Sequence, residues 1–184
     1  MSPSTKFAAV LAAAALALPA AGAAHADSAP ADPPMPAANG SCTGGDITWT
    51  ATPGVGLTSK PVKSKGFGSL TGCSGVGMPM KSGTLEYEQD ATASCLSGFS
   101  GPSKAKITWD NKMVSYAEIP SWTLPSTGDA TLTGRFAKGA LEGATFSIHV
   151  TYDGVTVSNA AKCLTPEGLD SGNAKVVSAT IITP

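Results

Sequence analysis

Charge is scarce in this chain, and so are aromatic rings: Asp, Glu, Lys and Arg make up 14% of the residues and Phe, Trp and Tyr 6%, with 12 basic side chains against 13 acidic ones. Nucleic acid and anionic membranes are held by clustered Lys and Arg. No such cluster is present, so neither is an expected partner. Histidine is limited to His25 and His149. Close cysteine pairs of the C-x-x-C kind, which hold zinc, are missing, and no metal or cofactor is expected. No G-x-S-x-G nucleophile elbow occurs. After the first eighteen residues no apolar run approaches the roughly 20 residues that a membrane-spanning helix needs, and no window of helical length shows a 3.6-residue apolar repeat.

The N-terminus does carry a signal of its own. Lys6 precedes the apolar run Phe7 to Leu18, and a Pro-Ala-Gly stretch then ends in Ala24-His25-Ala26. This is the three-part layout of a secretory signal peptide, too short to span a bilayer and closed by a small-x-small cleavage pattern. Residues 1–26 are therefore expected to be removed, with release of a secreted, extracellular protein. Residues 27–40 hold Pro30, Pro33, Pro34 and Pro36 among alanines and read as a disordered leader. Residues 41–184 read as a single domain, long enough to bury a core. The part after Ala26 carries 11 basic and 13 acidic side chains, a net charge of about −2.

From Cys42 onward the pattern has a period of two. Ile47, Trp49 and Ala51 share one parity, as do Leu85, Tyr87 and Gln89; Ile107 pairs with Trp109, Leu132 with Phe136, and Phe146, Ile148, Val150 and Tyr152 follow. Each set lies on one face of a strand. Val176 to Ile182 is rich in β-branched residues and reads as a final strand. Asp110-Asn111 and Asp153-Gly154 signal hairpin turns. Gly66, Gly68, Gly72, Gly75 and Gly77 mark a long flexible connection around Cys73. About seven strands at this spacing predict an antiparallel β-sandwich.

All four cysteines, Cys42, Cys73, Cys95 and Cys163, follow the signal segment. An even count in an oxidising compartment predicts two disulfides, with three connectivities open. Cys95, Trp109 and Cys163 fall near the Cys…Trp…Cys layout of immunoglobulin-like domains, in which the tryptophan packs on an inter-sheet bridge. That spacing favours Cys95 with Cys163 and leaves Cys42 with Cys73. The tyrosine usual two residues before the second cysteine is replaced by Ala161.

The order Cys42, Cys73, Ala93-Ser94-Cys95-Leu96, Ile107-Thr108-Trp109-Asp110-Asn111, Leu132-Thr133-Gly134-Arg135-Phe136 and Cys163-Leu164 resembles a group of small exported actinobacterial proteins. Those proteins are uncharacterized in activity. The resemblance implies source, export and fold, and nothing about function.

Three sets of residues bear on function. His149 alternates against apolar neighbours and lacks an evident nucleophile; it reads as a sheet histidine. Glu86, Glu88 and Asp90 share one strand face at separations of about 6 to 7 Å, a spacing that glycoside hydrolysis tolerates but that a solvated face explains with less. Trp49 and Trp109 share parity with core residues. Trp122, set between Pro120 and Pro125, is the tryptophan expected to be the most exposed; ligand-binding residues are otherwise unknown, and Trp122 is the one candidate contact for a ligand or partner. The expected function is a non-enzymatic exported module that binds a protein, a glycan or a cell-envelope partner. The alternative is a small secreted hydrolase using the acidic strand face, which requires Glu86, Glu88, Asp90 and His149 to converge on one pocket.

Overall fold

A computed structural model describes residues 39–124, 128–152 and 157–183. The signal segment, the leader up to residue 38 and the Asp153-Gly154 turn lie outside the described residues. The elements run β1 (Asn39–Cys42), β2 (Gly45–Val55), β3 (Lys60–Leu70), β4 (Ser74–Val76), β5 (Gly83–Ser94), β6 (Gly98–Trp109), β7 (Val114–Leu124), β8 (Gly128–Gly139), β9 (Thr145–Tyr152), α1 (Val157–Cys163) and β10 (Leu169–Ile182). β1 begins two residues inside the stretch read as leader.

The expected immunoglobulin-like sandwich is overturned by the strand pairing. Strands β2, β3, β5, β6, β7, β8, β9 and β10 each bond to the next, and β10 bonds back to β2, so eight antiparallel strands close into an up-and-down barrel. β1 and β4 extend the wall beside the C-terminal half of β10. Alternation marks which side of a strand is buried, and it is the same for a sandwich sheet and a barrel wall. The Cys…Trp…Cys likeness fails for a geometric reason. Ser94 pairs with Gly98 at one end of the β5–β6 hairpin and Gly83 with Trp109 at the other, so Trp109 lies roughly 35 Å of strand away from Cys95.

The disulfides are Cys42–Cys73 and Cys95–Cys163, and no described cysteine is free. They sit at opposite ends of the barrel. At one end, the chain between Cys73 and β5 is tied to the β6–β7 turn: Cys73 N–H donates to the Lys81 carbonyl at 2.9 Å, Lys81 N–H to the Asp110 carboxylate at 3.2 Å, and Asp110 N–H to the Ser82 carbonyl at 3.0 Å. At the other, Cys95 N–H donates to the Gly56 carbonyl at 2.8 Å, and its disulfide anchors α1. Seven residues give this helix too little length for a periodic signal. Lys162 in its last turn lies 3.6 Å from Asp170 of β10. Ser171, and then Lys162, hold that carboxyl below its ordinary range.

The scarcity of aromatics becomes intelligible inside the barrel, where four of them lie against glycines on adjacent strands. A Cβ on Gly172 would come within 2.6 Å of the Trp49 ring, one on Gly66 within 2.5 Å of Tyr87, one on Gly134 within 2.5 Å of Phe146, and one on Gly83 within 2.9 Å of Trp109. Large rings set against missing side chains fill a narrow interior without overpacking it. Here the glycine-rich reading of residues 66–77 needs correction. Gly66 and Gly68 belong to β3, where Gly66 opposes both Trp49 and Tyr87.

The outside is polar. Lys65, Glu88, Lys104, Glu118 and Arg135 stand directly opposite one another across β3, β5, β6, β7 and β8, alternating in sign. Lys63–Asp90 at 3.1 Å, Arg135–Glu118 at 2.9 Å and Lys106–Glu86 at 4.0 Å run beside or within this belt. A lipid-facing barrel carries an apolar band outside and polar residues within; this wall has the reverse arrangement. No helix among the described residues is long and apolar enough to cross a membrane.

Candidate functional site in the barrel interior

Alternation sends one side chain in two towards the barrel axis, and the middle of that interior holds a chamber of about 70 Å³. Its walls are almost wholly apolar: Ile47, Leu85, Ile107, Ile148 and Val150 line it together with the rings of Trp49 and Trp122. Trp49 is only 4% exposed, packed edge-on to Phe99 at 5.0 Å and tilted against Tyr152 at 6.0 Å. Trp122 is the least buried of the three tryptophans. It is not a surface platform: its indole faces the interior and packs against the core.

The polar atoms here are few and unequally served. Trp109 Nε1–H, near the Cys42–Cys73 end, donates to Ser115 Oγ at 2.9 Å. Among the described residues, the buried Nε1–H groups of Trp49 and Trp122 find no acceptor. Ser64, Gln89 and Ser103 form a buried row directly opposite one another across β3, β5 and β6. Ser103 also lines the chamber. Its hydroxyl donates to the Glu88 carbonyl at 3.3 Å, and Ser64 shares a 3.5 Å contact with the Tyr87 hydroxyl. Both amide atoms of Gln89, 4% exposed, lack partners among the described residues. Leaving a buried polar group unpaired costs about 1–3 kcal/mol. Such costs concentrate where a site is kept ready for something else.

Burial pushes the Tyr87 hydroxyl above its ordinary 10.0, against a smaller downward pull from the Ser64 bond. Burial, with Tyr87 adding to it, raises Tyr152 much further. Both folded values exceed the unfolded one, so the stability held by the neutral phenols is fully present below about pH 10 and is lost as pH rises through the folded values. The unfolding free energy from urea titration should therefore hold from about pH 8 to 9 and fall between about pH 10 and 12, by up to about 1.4 kcal/mol per pH unit for each tyrosine. Replacing both with Phe should flatten that slope; an undiminished slope would show that other groups control it.

The acidic strand is placed differently from what hydrolysis requires. Glu88 and Asp90 line an open trough of about 870 Å³ on the outer wall, beside Lys63, Lys65, Lys104 and Arg135. Glu86 and His149 do not line it. His149 lies on the outer face of β9, its Nε2 3.8 Å from Asp129 of β8. The four residues thus fail to converge. Opposite charges on both neighbouring strands give the run Glu86, Glu88 and Asp90 a simpler role: they favour one register over its shifted alternatives.

Sequence reasoning singled out Trp122 and assigned Trp49 to the core, but missed that both side chains line one interior chamber. It also missed Gln89 as an interior polar group. The signal for Gln89 was available, since it shares parity with Leu85 and Tyr87. An eight-stranded up-and-down barrel with an apolar chamber is the class that fold and site together define. Neither a scan of protein-family models nor a search of curated proteins finds a match to the chain.

Proposed function

We propose that this chain is a non-catalytic exported binding protein that holds a small neutral molecule inside its barrel. The observation that carries the reading is the apolar chamber of about 70 Å³ that the side chains in the middle of the barrel leave unfilled. Eight strands enclose an interior just wide enough for side chains or for one small ligand, and this interior sits between those two cases. An engineered cavity of about 150 Å³ admits benzene or xenon. A chamber of about 70 Å³ therefore suits either an occupant of three or four heavy atoms or the buried end of a longer molecule whose remainder passes Trp122. The signal-like segment 1–26 supports export, and the resemblance to small exported proteins points the same way.

Xenon tests the chamber as a binding space. Under xenon pressure, methyl resonances of Ile47, Ile107, Ile148 and Val150 should shift saturably, while methyls of the exposed Leu96 and Leu164 should not. Absence of any saturable shift at the chamber methyls would end the reading.

A further inference from the structure

An occupant of the chamber needs a way through the wall, and this step rests on the binding reading above. β7 is the least firmly laced strand around the chamber. Among the described residues its ladder to β8 ends at Glu118, opposite Arg135, so nothing pairs residues 119–124 with residues 128–134. Its ladder to β6 shifts register between Gly101 and Ser103, which leaves Pro120 and Ser121 outside both ladders. Pro102, the β6 residue at the same shift, is unpaired on its other side too, where the β5 ladder skips from Gln89–Ser103 to Thr92–Ser100. Proline has no N–H to donate to a ladder, and one stands on each strand here. Segments poor in ladder bonds open at low free energy while the rest of a fold stays closed.

This stretch separates the chamber from two open cavities on the outer wall. Inside, Ile119 and Trp122 line the chamber. Outside, Pro120 and Arg135 line both the charged trough and a neighbouring groove of about 460 Å³ over β8, β9 and the end of β10. Ser103 and Ile119 border trough and chamber alike, and Phe146 borders groove and chamber, its ring against Gly134. The two sides differ in chemistry. The chamber walls are almost wholly apolar, and the Ser103 hydroxyl is committed to the Glu88 carbonyl. A hydroxyl or charge drawn inside would lose its water uncompensated, whereas alkyl carbons gain by leaving water. Outside, Lys104, Arg135 and Thr133 keep a polar group in solvated company. We infer that the unpaired stretch of β7 at Pro120 and Ser121 is the portal to the chamber, and that the ligand is a small amphiphile whose aliphatic end passes through it while its polar group stays in the outer cavities.

Xenon and 1-hexanol are the probes, the second being long enough to leave its hydroxyl outside a space that takes three or four heavy atoms. Pro120 is exposed, so Pro120→Trp caps the portal from outside; Thr84→Trp, on the exposed face of β5, is the control. Exchange of xenon between chamber and solvent should slow about tenfold or more in Pro120→Trp and be unchanged in Thr84→Trp. In the 1-hexanol complex, the terminal methyl should give NOEs to the methyls of Ile107 and Ile148, and the carbinol protons to Pro120. Hydrogen exchange in the wild-type protein needs no variant to fold. The amides of Ile119 and Trp122 should exchange about 100-fold or more faster than those of Ala105 and Ile148, which are paired on both sides. Unslowed xenon exchange in a folded Pro120→Trp, or protection of Ile119 and Trp122 equal to that of Ala105, would overturn the portal and leave the chamber reading standing. Absence of hexanol binding, or carbinol contacts with Ile107 and Ile148 in place of Pro120, would overturn the ligand class. Failure of xenon to reach the wild-type chamber would overturn the binding reading and the portal together.

Discussion

Replacing Cys95 and Cys163 together with alanine should lower the unfolding free energy by roughly 4.4 kcal/mol, more than the roughly 3.7 kcal/mol expected for Cys42 and Cys73, by the loop-entropy relation for cross-links. The two bridges span 68 and 31 residues, and a longer closed loop restricts the unfolded chain more. A domain of this size is stable by only about 5–15 kcal/mol, so either loss is a large share of the total. Urea denaturation of both double variants gives the ranking, and a greater loss from Cys42 and Cys73 would reverse it. Position adds a second readout. The Cys95–Cys163 bridge anchors α1 at the barrel end nearer Trp122, which pairs with Gly101 close to the start of β6. Cys42–Cys73 sits with the segment bonded to the Asp110 turn beside Trp109. Loss of the first should raise acrylamide quenching of Trp122; loss of the second should redden Trp109.

Trp109→Ala is expected to cost about 3–5 kcal/mol, the usual range for deleting a large buried ring. Trp109 is 1% exposed and fills the space that Gly83 leaves beside it. The substitution also strips the fully buried Ser115 hydroxyl of its indole donor. Trp109→Phe should retain part of the packing and lose the bond. Adding Ser115→Ala to Trp109→Phe should then cost less than Ser115→Ala does in the wild-type protein, because the two groups act as a pair. Trp49→Phe should behave otherwise, since its N–H has no acceptor among the described residues to lose. A Trp109→Ala variant within about 1 kcal/mol of wild type would show that this end of the barrel is not a tightly packed core.

Much of the wall was legible in the sequence because alternation reports burial directly. Ile47 and Trp49, Leu85 and Tyr87, and the run Phe146 to Tyr152 all point inward as their parity requires. β3 escaped detection for a definite reason. Its inward residues include Ser64 and Gly66, small because Tyr87 and its neighbours occupy the space they face, so the segment reads as lysine alternating with little rather than with apolar bulk. The acidic run on β5 was visible, but the lysines and arginine that flank it belong to strands distant in sequence. Trp122 was recognised as unusual, yet the enclosure it borders is built from seven other strands.

The amino-acid sequence by itself determined that the chain is all-β and which face of most strands is buried; its spacing favoured the cysteine pairing that the structure has, through a likeness to a fold the chain does not adopt. It left open whether those strands form two facing sheets or one closed wall. That was decided by the return of β10 to β2, a pairing between the two ends of the domain. Local alternation constrains each strand's faces and says nothing about which edges meet. The chamber exists only once that last pairing is made, because its wall is drawn from both sides of the seam, Ile47 and Trp49 on β2 and Ala174 and Val176 on β10.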